Sequence, residues 1–122
     1  MGGSYDFTEA FMDVTPLLTE SDLTVLNFEG SLCGAPYGDS NLASAPIEMI
    51  QALRNSGVDL VQVANSCSIN HGLLGLSETL TGIRSAGLEP LGAYANTQQF
   101  QESGGYTMVE VQGIKIAFVA FT

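Results

Sequence analysis

Between Asp6 and Thr19 the apolar residues Phe7, Phe11, Val14, Leu17 and Leu18 recur at helical spacing. Pro16 falls inside that pattern and predicts a helix that ends or restarts near Thr15, because proline removes a backbone donor and clashes with the preceding turn. Leu23–Phe28 is a short β-prone run and predicts a buried strand ending at Glu29-Gly30. Residues 30–45 are rich in Gly, Pro, Asp, Asn and Ser without periodicity, which predicts a long loop. Pro46 opens a helix at its first turn, with Ile47, Ile50 and Leu53 as the inward stripe and Gly57 as the stop. Val58–Ala64 is a second strand, Asn65–Gly72 a polar loop, and Leu73–Ala86 a helix with Leu73, Leu76, Leu80 and Ile83 on one face. Leu88–Tyr94 is a third strand, and Asn96–Glu102 can form a helical turn. Tyr106–Val111 and Ile114–Phe121 alternate around Gln112-Gly113 and predict a β-hairpin. The methionines, Phe118 and Phe121 are expected in the core, and Tyr37 and Tyr94 in turn packing.

Strand, helix, strand, helix, strand and hairpin make an α/β fold, with parallel strands joined by helices and a C-terminal β-hairpin. Neither an internal repeat nor a linker interrupts the pattern, so residues 1–122 read as a single domain. In open α/β sheets, ligands bind beyond the carboxyl ends of the strands. Two loops fall there: Asn27-Phe28-Glu29-Gly30 and Asn65-Ser66-Cys67-Ser68-Ile69-Asn70-His71-Gly72. If their strands are neighbours, Asn27, Glu29, Asn65, Ser66, Cys67, Asn70 and His71 form a candidate site. Ordinary capping of the loops by Asn and Ser side chains is the alternative.

Charge narrows the possible partners. The 122 residues carry 13 acidic and 3 basic side chains, a formal net charge of −10, and the three cations Arg54, Arg84 and Lys115 lie far apart in sequence. A nucleic-acid or anionic-lipid surface needs a cationic patch, which this chain cannot assemble. With 45% hydrophobic residues the chain is too apolar for a disordered acidic tail. It has no apolar run of bilayer length, hence no transmembrane segment, and Met1–Phe7 does not read as a signal peptide. The dispersed acidic residues read as a solvated face.

Taken together, several blocks resemble the bacterial capsule-synthesis protein family of the CapA, poly-γ-glutamate type. They are Ser21-Asp-Leu-Thr-Val-Leu-Asn-Phe-Glu-Gly30, Asp59-Leu-Val-Gln-Val-Ala-Asn65, Gly72-Leu-Leu-Gly-Leu76, Ala86-Gly-Leu-Glu-Pro-Leu-Gly-Ala93 and Val111-Gln-Gly-Ile-Lys-Ile-Ala-Phe-Val-Ala-Phe-Thr122. The resemblance implies part of a metallophosphatase-like sandwich, an exported or cell-surface setting, and envelope polymer or capsule-synthesis partners. By the same resemblance the chain corresponds to the N-terminal half of such a domain. The family's opening strand, which ends in Gly-Asp, and its later histidine-bearing loops are then expected to be missing. A half-domain with uncovered strand edges is expected to self-associate.

The same resemblance implies roles for the loop residues. Glu29 keeps the position of a metal-bridging carboxylate and is the one candidate metal ligand. Ser66 stands where the family has a ligand asparagine, Cys67 where it has a histidine, and Asn70 where it has an aspartate. A hydroxyl or a neutral amide cannot replace a carboxylate in charge balance or proton transfer. The expectation is therefore a degenerate site without catalysis or cofactor in this chain, and a binding or assembly role at the cell envelope. A divalent metal would belong only to a more complete parent. The rival reading is one half of a metal-dependent phosphoesterase whose remaining ligands lie outside these residues.

Cys33 and Cys67 leave two readings open, a disulfide between loops on one side of the sheet or two free thiols. Cys67 and His71, four residues apart, could also join Cys33 and Glu29 around zinc, or form a nucleophilic Cys–His pair.

Overall fold

The structure, a computed structural model, describes residues 4–38 and 44–122. Its order is α1 (Thr8–Phe11), α2 (Thr15–Thr19), β1 (Val25–Asn27), α3 (Ile47–Asn55), β2 (Leu60–Gln62), α4 (Gly72–Ser85), β3 (Glu89–Leu91), α5 (Thr97–Ser103), β4 (Thr107–Val111) and β5 (Ile114–Phe118). This is the α/β class that the sequence predicts. Strands β1, β2 and β3 form a parallel sheet in that order, and β4 pairs antiparallel with β5.

The N-terminal helical pattern breaks as Pro16 requires, with α2 restarting at Thr15 and the proline in its first turn. Each parallel strand is shorter than its apolar run, because the ladder holds for three register positions: Val25–Leu60–Glu89, Leu26–Val61–Pro90 and Asn27–Gln62–Leu91. Alternation along a strand sends Leu26 and Val61 to the helix-covered face, and Asn27 and Gln62 to the other. The core under α3 and α4 comprises Phe28, Ile50, Leu53, Val58, Val61, Val63, Leu76, Leu80, Ile83 and Leu88, all buried.

Several details depart from the sequence reading. Pro46 is the cap before α3, in extended conformation, rather than part of its first turn. Leu73 is 73% exposed, while Gly75, Leu76, Thr79, Leu80 and Ile83 are the buried residues of α4. At about 100° per residue, Leu73 falls at the margin of that arc and in the first turn. Phe121 is 89% exposed beyond the end of β5, and Phe118 is half-buried. Met108 shares the outer face of the hairpin with Glu110 and Lys115, and Met12 is also exposed; of the described methionines, Met49 packs against the core. The turn at Gln112 and Gly113 has positive φ at both residues, as a two-residue hairpin of this twist demands. Tyr94 meets Phe100 edge-on at 5.2 Å, and Tyr37 meets Tyr5 at 5.4 Å.

The long loop after β1 is stitched at both described ends. Ser31 and Ser44 form a parallel bridge, Ala45 N donates to Ser31 O, and Cys33 N donates to Ser44 Oγ. Thr79 on α4 accepts from Leu32 N. Residues 39–43, at the middle of the expected loop, lie outside the described residues.

Candidate functional site

Parallel pairing sends the chain out of β1 and β2 at the same edge of the sheet, so the loops at residues 28–31 and 63–71 leave side by side. Phe28 anchors the first loop: it is 7% exposed, and its N–H extends the ladder by donating to Gln62 O. Glu29 follows with its side chain in solvent. The second loop is built around Asn65 and Ser68. Ser68 Oγ accepts from Asn65 N at 2.8 Å and donates to the Val63 and Asn65 carbonyls, closing the turn on itself. The chain then winds through successive short turns, Ser68 N to Asn65 O, Asn70 N to Cys67 O and Gly72 N to Ile69 O, into α4.

Asn65 ties the two loops together. Its Nδ2 donates to Phe28 O at 2.8 Å and to Asn27 Oδ1 at 3.1 Å, and its Oδ1 accepts from Cys67 N at 3.0 Å. Ser66 Oγ donates to Glu29 Oε1 at 2.7 Å, a second bridge between the loops. Asn27, Glu29, Asn65, Ser66 and Cys67, separated by up to forty residues in sequence, are thereby joined in one bonded cluster. Asn70 is exposed on the following turn, and half-buried His71 is the cap residue of α4.

Cys33 and Cys67 are free thiols, not the disulfide that was one of the two expectations. Each sulfur is engaged elsewhere: Cys33 Sγ donates to Gly75 O at 3.6 Å, and Cys67 Sγ lies 3.9 Å from Ser66 Oγ. A Cβ built on Gly75 would stand 2.3 Å from His71 Cβ and 2.9 Å from Cys33 Sγ, so Gly75 is the space that seats Cys33 beside the start of α4. Among the described residues, no three His, Cys, Asp or Glu side chains gather as a metal-binding group, which removes the zinc set of Cys33, Cys67, His71 and Glu29. The donors within the cluster itself are one carboxylate, two carboxamides, a hydroxyl and a thiol. By itself that set supplies a single carboxylate and no imidazole, whereas a two-metal centre needs several of both around its ions.

Two contributors escape the sequence reading. Ser68 looks like generic loop polarity, yet its hydroxyl organises the turn. Gln62, the register partner of Asn27, donates through Nε2 to Ala64 O at 2.7 Å while its buried Oε1 has no partner among the described residues. Only the strand register could have placed Gln62 beside the cluster, and composition carries no signal for it.

Comparison with known proteins places the chain in a family. The family model described as bacterial capsule synthesis protein PGA_cap matches residues 2–122. The capsule biosynthesis protein CapA of Bacillus anthracis is 27% identical over 124 residues, covering 97% of this chain. The chain spans 29% of that relative's length. With nearly all of its residues matched by the family model, the chain belongs to the bacterial capsule synthesis protein family.

Proposed function

We propose that this chain serves capsule synthesis at the cell envelope, in an exported or surface-held protein, as a binding or assembly element with a degenerate metallophosphatase-like site. The observation that carries this reading is how the cluster spends its polar atoms. Asn65 uses its amide nitrogen and its oxygen on Phe28, Asn27 and Cys67, and Ser66 uses its hydroxyl on Glu29. Groups bonded to their own loops hold the two strand ends in register. They are poorly placed to change partners with a ligand, since each lost bond must be replaced. At the positions where the family resemblance expects a histidine and an aspartate, Cys67 and Asn70 supply a thiol and an amide.

The net charge of −10 disfavours direct contact with a polyanion such as poly-γ-glutamate. Partners are therefore other capsule-synthesis proteins, or the polymer through an intervening cation. Ile114, Val119 and Phe121, all more than half exposed, support self-association as a further proposal.

One observation favours a second reading, half of a metal-dependent phosphoesterase. Glu29 stands exposed at the carboxyl edge of the parallel strands, where a metal-bridging carboxylate would serve. Metal analysis of the full-length protein, with a generic phosphodiester assay in manganese or zinc, separates the two. The non-catalytic reading expects no turnover above the metal-only rate. Turnover that falls on Glu29→Ala would replace it with the second reading.

A further inference from the structure

A second concavity shares no residue with the cluster above. It lies between the N-terminal segment and α3, has a volume of about 480 Å³, and falls in the size range of small-ligand sites. One wall is aromatic and soft: Tyr5, Phe7, Phe11 and Met12. Tyr5 and Phe7 stack at 6.3 Å with planes 20° apart, and Tyr5 remains 50% exposed. The charged residues of the lining are Asp6, beside these rings, and Glu48 on α3.

Among the described residues, none of the cations Arg54, Arg84 and Lys115 lines the groove. Arg54 shares α3 with Glu48, but its Nε lies 3.6 Å from a Cβ built on Gly87, so it serves the turn before β3 instead. An anionic ligand would face two like charges. A neutral apolar ligand would strip water from two carboxylates and return nothing for it. A ligand with a positive head wrapped in methyl or methylene groups satisfies both walls: ring faces attract a cation through their quadrupole, and the carboxylates through charge. Asp6 keeps its charge into acid, because hydrogen bonds from the Thr8 side chain and backbone hold its carboxyl below the usual range.

We propose that the groove between residues 5–16 and α3 binds a small organic cation with an alkylammonium head, seated on Tyr5, Phe7 and Phe11 and balanced by Asp6 and Glu48. Choline is a suitable probe, with its neutral carbon isostere, in which a tert-butyl group replaces the trimethylammonium, as the control. Titration of the isotope-labelled chain, followed by backbone amide shifts, should give saturable changes at residues 5–16 and 48–56, with a dissociation constant in the millimolar range. Tyr5→Leu and Glu48→Gln change side chains outside the buried core, and each should weaken choline by about two- to fivefold with the rest of the spectrum preserved. Absence of saturable shifts at those residues overturns the proposal. So does equal binding of the neutral isostere, or wild-type affinity in both variants.

Discussion

Replacing Asn65 by alanine probes the joint between the two loops. The substitution deletes three hydrogen bonds, to Phe28 O, Asn27 Oδ1 and Cys67 N, at 2.8, 3.1 and 3.0 Å. At about 0.5–1.5 kcal/mol net for each, the gross loss is about 1.5–4.5 kcal/mol. Asn27 is exposed and rebonds to water, so its share falls at the low end, whereas Phe28 belongs to the buried core and its carbonyl loses more. A loss of about 2–3 kcal/mol is the expected outcome. For 122 residues the unfolding entropy near the midpoint is about 0.26 kcal/mol/K, so the melting temperature should fall by about 10 °C. Urea unfolding at constant m-value is the assay. Asn27→Ala alone should cost under about 1 kcal/mol, and the double variant should fall short of additivity because the two side chains share one bond. If Asn65→Ala costs less than about 0.5 kcal/mol, the cluster is not a structural joint, and the claim that its polar atoms are committed to the fold fails.

Other outcomes follow from single features. Gly75→Ala, which helix propensity alone would favour, should destabilise the chain by more than about 1 kcal/mol in the same unfolding assay. The added Cβ meets His71 Cβ at 2.3 Å and Cys33 Sγ at 2.9 Å. Ile50→Ala, at a fully buried position, should cost about 2–5 kcal/mol by urea unfolding. Asp6 should titrate below its ordinary value of 3.8, followed through its side-chain carboxyl and the Thr8 amide by NMR. A depressed folded-state value means that its contribution to the start of α1 is present above the unfolded value and is lost as pH falls through the folded one. A midpoint at or above 3.8 would remove the Thr8 hydrogen bonds from the account. Thiol titration of the unreduced, denatured protein should count two thiols, where a disulfide would leave none.

The element order was legible because periodicity and punctuation agreed: Pro16, Gly57 and the Gln112-Gly113 turn each mark a real boundary. Strand length was not, because an apolar run reports burial whereas a ladder reports overlap with its neighbours, here three residues. Exposure failed at Leu73 and Phe121 for a related reason. Apolar character says that a residue could be buried, and position at an element's end decides whether anything covers it. At the site, the pairing of β1 with β2 was enough to bring Glu29, Asn65 and Ser66 together, and the polar loop residues suggested as much. The disulfide reading followed from loops on one side of the sheet, but side-chain direction is invisible in sequence, and Cys33 turns to the Gly75 carbonyl. Gln62 was hidden because strand residues of that type are ordinarily solvent-facing.

On the proposed non-catalytic reading, the cluster of Asn27, Glu29, Asn65 and Ser66 is occupied by its own hydrogen bonds and holds no divalent-metal centre. Manganese titration of the isotope-labelled chain tests it most directly, since the ion broadens the resonances of nearby nuclei. The expected result is no selective broadening of the Asn27 and Asn65 side-chain amides or of the Glu29 and Ser66 backbone amides, beyond the diffuse effect of an acidic surface. Saturable broadening confined to those four residues, abolished by Glu29→Gln, would contradict it.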